Sequence, residues 1–308
     1  RGHNGFLEAA NLAELPRDYT QWTWDVMNAE TIPEVLRRAF LLAEAPPGGP
    51  TFVTFSKDLW EVKVDAAEII PRSRSNVETE VEPPDHHVKQ IADMLLSSDK
   101  PCLFLGNECI KYEISKEVSG IAEAIGAMVM LSVKIPCVFP NTHPNFVGEV
   151  VVDDASLLED IDCFWSLGGH MFKTFNLPEK PLVSRDAHIL HTSLAEADVG
   201  RNYPIDLATI ASIKSTSALV LEELKTRNLK TSAIRDRQRW LNEYTDKRRK
   251  QLDDIAKKEW DITPIATSRL MIELDKVVDS NAEVVSELIP SDAYPRRYMK
   301  FNHTQPAS

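Results

Sequence analysis

The stretch PCLFLGNECIKYEISKEVSGIAEAIGAMVML, residues 101–131, reads as one strand–helix–strand unit. Residues 101–106 form a short, continuous apolar run that ends in glycine, the pattern of a strand buried on both faces. Ile114, Val118, Ile121, Ala122 and Ile125 then recur at helical spacing, and Gly126 is placed to close that helix. "MVML", 128–131, is the next strand. Outward from this unit the same alternation continues. Residues 85–98 predict a helix, with Val88, Ile91, Ala92 and Leu95 at i, i+3, i+4 and i+7. "CFWSLGG", 163–169, and "AHILH", 187–191, predict two more strands, and "TSALVLEELK" a final helix. Helices alternating with short apolar strands predict an α/β domain over 85–228: a doubly wound, Rossmann-like parallel sheet covered on both faces.

The flanks read differently. Residues 31–45 predict a helix, with Thr31 and Glu34 as a capping box, Pro33 in the first turn, and Ile32, Val35, Leu36, Ala39 and Ala43 on the apolar face. "TFVTF", 51–55, predicts a short strand, so 1–65 reads as a partial α/β piece. Residues 66–84 are polar, proline-bearing and without period, and read as an interdomain linker. Residues 229–262 read as a basic helical connection. Twelve basic and five acidic residues lie between 225 and 258, within a chain of formal charge −12. A solvated helix is the expected form, pinned by Ile234, Leu241, Tyr244, Leu252, Ile255 and Trp260. In 263–308, Thr263 is the expected N-cap of a further helix with Pro264 behind it, and "AEVVSEL" reads as a strand.

Composition limits the function. The chain has 308 residues, enough for about two domains. Its acidic balance argues against nucleic-acid binding, and no apolar run has the length of a membrane helix. Cys102, Cys109, Cys137 and Cys163 match no common zinc spacing and are expected to be free thiols in a reducing, cytoplasmic setting. Gly106 stands alone after its strand, with no GxGxxG and no P-loop. Gly168 and Gly169, followed by His170, allow close backbone approach by a ligand or a neighbouring strand. His86 and His87 cannot share an ion on one helix face. The loop PCVFPNTHPNFVG, 136–148, crowds Cys137 and His143 together but supplies no ligand set and no orienting partner. It reads as a rigid connection, with His143 as a structural hydrogen-bonding residue and Gly148 allowing the turn out. Asp153 and Asp154 read as solvation at a helix start. No self-contained catalytic constellation and no metal site emerges.

Several motifs in order resemble one family, the thiamine-diphosphate-dependent decarboxylases and carboligases of the acetolactate synthase and benzoylformate decarboxylase group. Leu15-Pro16-Arg17, Trp22, Gly49-Pro50 and Asp58 resemble the end of that family's pyrimidine-binding domain, although Ser56 stands where proline is usual. "KPCLFLGNE", "IAEAIGAMVM", "FPNTHPNFVG" and "DIDCFWSLGG" resemble its central domain. The stretch from Ile262 resembles the opening of its diphosphate-binding domain, with Glu287 at a glutamate common in close relatives.

The resemblance implies an enzyme, as a full-length parent, that decarboxylates 2-oxo acids and/or forms C–C bonds from the resulting carbanion. It implies thiamine diphosphate as electron sink, Mg2+ to hold the diphosphate, and a homodimer or homotetramer with active sites between subunits. Both ends of the chain read as cut. The family's catalytic glutamate is expected before Arg1 and its GDG…N motif after Ser308, so this chain alone is expected to be catalytically incomplete, with no catalytic residue of its own. Two departures matter. The strand at His191-Thr192-Ser193 lacks the acid that contacts nucleotide in flavin- or ADP-binding members, and "GEVVVDD" replaces their "GMxG", so FAD is not expected. After Glu287 come Leu288, Ile289 and Pro290, which leaves Ser291 as the one hydroxyl there for cofactor contact. Glu287 and Ser291 are the candidate cofactor-binding residues. The alternatives are a truncated, non-catalytic paralogue acting through its interfaces, or an NAD- or FAD-binding domain of the same central fold.

Overall fold

The computed structural model describes residues 9, 11–75, 80–133, 135–149, 156–172, 181–229, 231–279, 281–285 and 293–302. The chain divides into two compact units, Arg1–Glu80 and Val81–Ser308.

In the first unit, strand β1 (Trp22–Val26), helix α1 (Ile32–Glu44) and strand β2 (Thr51–Phe55) form a single β-α-β unit. The strands pair in parallel with Trp22 opposite Thr51, as a helical crossover requires. β1 went unread in the sequence, although Trp22 and Trp24 alternate with Thr23 and Asp25 at strand period. Thr31 does not form the expected capping box. It ends a 3-10 turn, Ala29–Thr31, that runs straight into α1, and its hydroxyl donates back to the Asn28 carbonyl at 2.9 Å. Among the described residues the buried apolar side chains are few: Val26, Val35 and Leu59 cluster together, and Ala13 and Ala39 are also buried.

The second unit is built on six parallel strands: β3 (Pro101–Leu105), β4 (Met128–Leu131), β5 (Phe146–Glu149), β6 (Cys163–Leu167), β7 (His188–Ser193) and β8 (Leu207–Ile210). They lie in the order β5-β4-β3-β6-β7-β8. The winding therefore runs outward from β3 in one direction and from β6 in the other, a doubly wound sheet. Alternate side chains serve opposite faces. Leu103, Leu105, Val129, Leu131, Trp165 and Leu167 enter one buried core with helices α2 (Asp85–Ser97), α3 (Ser115–Ile125) and α5 (Ile213–Thr226). Cys102, Phe104, Met128, Met130, Phe164 and Ile189 enter the other. The helix faces read from periodicity are the buried ones: Val88, Ile91, Ala92 and Leu95 on α2, and Val118, Ile121, Ala122 and Ile125 on α3. Gly126 ends α3 in the left-handed conformation, φ 69°.

The loop 136–148 has a larger role than a connection. Parallel neighbours need a crossover of a dozen or more residues. Between β4 and β5 the described residues make that crossover without a helix, and buried Val138 and Phe139 pack where a helix face would. Its end is strand β5 rather than a turn out. The register of β4 and β5 shifts between Val129 and Met130, and Gly148, at φ 114°, sits at that irregularity. β8 also went unread, because "LATI" is too short and too half-exposed to carry a clear period.

Helix α4 (Ser156–Glu159) is one turn, and α6 (Thr231–Lys258) is the long basic helix. Leu241 on α6 is buried, whereas Ile255, expected to pin the helix, is exposed. The residue that fixes α6 is Arg237. It is 9% exposed and donates to the carbonyls of Ile125 and Leu96, each at 2.9 Å, and of Ser98. These carbonyls end α3 and α2, where a cation also complements the helix dipoles. Helix α7 (Thr267–Val277) starts later than expected, with Ala266 rather than Thr263 at its N-cap. No strand forms at 282–285, the described part of "AEVVSEL". Helix α8 (Tyr294–Tyr298) leads to Met299 and Phe301, which join the core shared by α2 and α3.

Candidate functional site

In open α/β sheets, ligands enter where the winding reverses, outside the carboxyl ends of the strands. Here that place lies between β3 and β6, and it brings together Gly106, Asn107, Glu108, Gly168 and Gly169. A Cβ on Gly106 would overlap the Gly168 carbonyl oxygen, one on Gly168 would lie 2.5 Å from the Glu108 Cβ, and one on Gly169 would overlap Asn107 Oδ1. The glycines serve a close approach between two segments of this chain. Behind them, His191 is 1% exposed, and its Nε2 lies 2.9 Å from the Gly169 carbonyl oxygen, to which it donates. Burial holds the His191 pKa below the ordinary value. His170 Nδ1 pairs with Asp198 at 3.1 Å.

The other histidines and the cysteines have structural partners. His143 Nδ1 accepts from the Asn145 amide at 3.1 Å, its Nε2 lies 3.2 Å from Glu123, and its ring meets Phe139 edge-on. Asn145 donates to the Ala122 and Ala127 carbonyls, which secures the end of α3. Asn141 donates to the Arg296 and Met299 carbonyls and accepts from the Phe301 amide, holding the segment after α8 against the loop. Arg296 also pairs with half-buried Glu149 of β5. Asn141 was the informative residue of this loop, but its partners lie more than 150 positions away, beyond any local pattern. All four cysteines are free and buried. Burial pushes the Cys137 thiol up to about 11 and Cys163 up to about 12, with Cys102 and Cys109 also raised. None is a thiolate nucleophile at neutral pH.

An open cavity of about 1040 Å3 lies at the opposite, N-terminal ends of β7 and β8, with Phe172, Leu182, Tyr203 and Ile205 among its walls. His188 and Asp206, 3.5 Å apart on its rim, are both exposed to solvent, an arrangement of a surface ion pair rather than of an acid–base dyad. Among the described residues no three histidine, cysteine or carboxylate side chains could hold a metal ion. No helix among them is long and apolar enough to cross a membrane. Glu287, Ser291, Asp153 and Asp154 lie outside the described residues.

The fold thus defines a doubly wound α/β domain of the Rossmann-like class. Residues 88–224 match the family described as thiamine pyrophosphate enzyme, central domain. The acetolactate synthase large subunit of Corynebacterium glutamicum is 24% identical over 245 residues, which cover 76% of this chain and 38% of that protein. The crystal structure of benzoylformate decarboxylase from Polynucleobacter necessarius has a TM-score of 0.75 at 16% identity, covering 98% of this chain and 53% of that one. The thiamine diphosphate-dependent 4-hydroxybenzoylformate decarboxylase of Rhodococcus jostii RHA1 has a TM-score of 0.68 at 19% identity, covering 92% and 51%. The chain spans about half the length of these solved relatives and less of the synthase.

Proposed function

We propose that this chain is part of a thiamine-diphosphate-dependent enzyme acting on 2-oxo acids, by decarboxylation, carboligation or both. The observation that carries this reading is the match of residues 88–224 to the family's central domain. In this reading the six-stranded unit is a scaffold, and the parent works as a homodimer or homotetramer with Mg2+ beside the cofactor. Glu287 and Ser291 are the residues of this chain assigned to cofactor contact.

Two measurements test it. Calorimetry of the 308-residue chain with thiamine diphosphate and Mg2+ is expected to show no binding tighter than millimolar, and micromolar binding would overturn the claim that the site is incomplete. The intact parent, given the same cofactors, is expected to release carbon dioxide from at least one member of a panel of aliphatic and aromatic 2-oxo acids. A parent inactive across that panel, with correctly folded protein, would overturn the enzyme reading. Glu287→Ala in the parent is expected to weaken cofactor binding; unchanged affinity would remove that residue from the site.

A further inference from the structure

A nucleotide bound at a doubly wound sheet needs two things at the strand ends: an open crevice, and free backbone N–H groups for its phosphates, usually at a helix N-terminus. This domain has used both. After β3, the Gly106 amide donates to the Leu167 carbonyl at 2.9 Å, and after β6 the Gly168 amide donates to the Thr192 carbonyl at 2.8 Å. The pairing therefore continues past the ends of the strands and closes the mouth between them. The chain then turns through a short 3-10 segment, Asn107–Ile110, and α3 does not begin until Ser115. That turn lays Asn107 and Glu108 over Gly169 and Gly168.

Glu108 is 8% exposed. One carboxylate oxygen accepts from the Ser193 hydroxyl at the end of β7, and the other accepts from the Leu194 amide at 3.3 Å. Ser193 Oγ in turn accepts from the Ala195 amide at 3.0 Å and the Gly169 amide at 3.4 Å. The Cys109 amide donates to the Gly106 carbonyl at 3.1 Å. The amides of Gly106, Cys109, Gly168, Gly169, Leu194 and Ala195 are all occupied within the protein, and the charge at their centre is negative.

We infer that the crevice of this central domain is sealed by its own carboxylate. Glu108 stands where the phosphates of a nucleotide would approach, ties the end of β3 to the end of β7, and excludes dinucleotides from the switch point. A phosphate brought there would meet a buried carboxylate, with the six amides named above already engaged. The inference rests on this geometry and is independent of the reaction proposed for the parent.

The test uses the full 308-residue chain. Calorimetric titration with ADP and with FAD as probes is expected to give no saturable heat at millimolar ligand; micromolar binding of either overturns the proposal. The clamp itself is read from urea midpoints of Glu108→Gln, Ser193→Ala and the double variant. Each single change is expected to lower the midpoint, and the double variant to fall by less than the sum of the two, because both weaken the shared Glu108–Ser193 contact. Additive losses, or unchanged midpoints, would show that Glu108 and Ser193 do not act as a clamp and would overturn it.

Discussion

The two parallel sheets of this chain are built from the same β-α-β device and differ in how completely they are covered. The sheet of Val81–Ser308 has six strands, with buried apolar cores on both faces. The sheet of Arg1–Glu80 has two strands and, among the described residues, one small buried cluster of Val26, Val35 and Leu59, while Phe40 on α1 and Trp60 after β2 are 66% and 72% exposed. Parallel strands depend on cover over both faces, and a two-stranded sheet is marginal alone. The comparison locates the stability of the chain in its second unit. It also shows what completes that unit: residues far along the chain, from α6 to Phe301, fill the core of a domain whose strands end at Ile210.

The largest expected effect breaks the second sheet's cover. Deleting residues 229–308 removes Leu241, Met271, Met299 and Phe301 from the cores, and Arg237 from the ends of α2 and α3. Large buried side chains cost about 2–5 kcal/mol each when truncated, so the shortened chain is expected to lose its cooperative urea transition. Circular dichroism checks this, and an unchanged midpoint would mean that 81–228 is self-sufficient. Next comes Arg237→Ala. It leaves three helix-end carbonyls without a donor, at an expected cost of about 3 kcal/mol. Arg237→Lys is expected to recover only part of this, because an ammonium lacks the planar fork that reaches several carbonyls at once.

These two cases also mark what was legible in the sequence. The strands β3, β4, β6 and β7 and the helices α2, α3 and α5 carried their own periods, so fold class and core faces could be read locally. Arg237 could not. With eleven other basic residues on and around its helix, nothing local separates this buried guanidinium from the solvated ones. Asn141 and Glu108 failed for the same reason, since their meaning lies in carbonyls, amides and hydroxyls more than 80 positions away. The glycine pair at 168–169 was read as a place of close approach, but which partner approached was a fact of topology. The candidate cofactor residues Glu287 and Ser291 rested on resemblance, because no pattern in their surroundings points to a phosphate.

A smaller effect separates the two units by pH. His191 is buried in the second, and its Nδ1 has no hydrogen-bond partner. Burial lowers its pKa, the neighbouring His170 adds to this, and the Gly169 carbonyl and Asp198 partly offset it. Above its unfolded value of about 6.5, both folded and unfolded forms are neutral there and stability does not depend on this group. As pH falls below that value the unfolded chain takes up a proton that the folded chain resists, so stability is lost down through the folded pKa. His87, lowered first by burial and then by His86, acts in the same direction. The urea midpoint is expected to be level above neutrality and to decline in mild acid, with a shallower decline in His191→Gln. An equally steep decline in that variant would assign the effect elsewhere.

The smallest expected effect belongs to the first unit. Phe40 lies on the open side of α1, opposite buried Val35 and Ala39. An exposed aromatic contributes little to a fold it does not pack into, so Phe40→Ser is expected to change stability by less than about 0.5 kcal/mol. Val35→Ala, on the buried face, removes two methyl groups from the cluster of Val26, Val35 and Leu59 and is expected to cost more than the serine change. The pair of variants measures how far burial, rather than residue type, decides the stability of a two-stranded unit. If Phe40→Ser proved the more costly of the two, the apolar side of α1 would have to be covered in solution, and the contrast between the sheets would be one of partners rather than of cores.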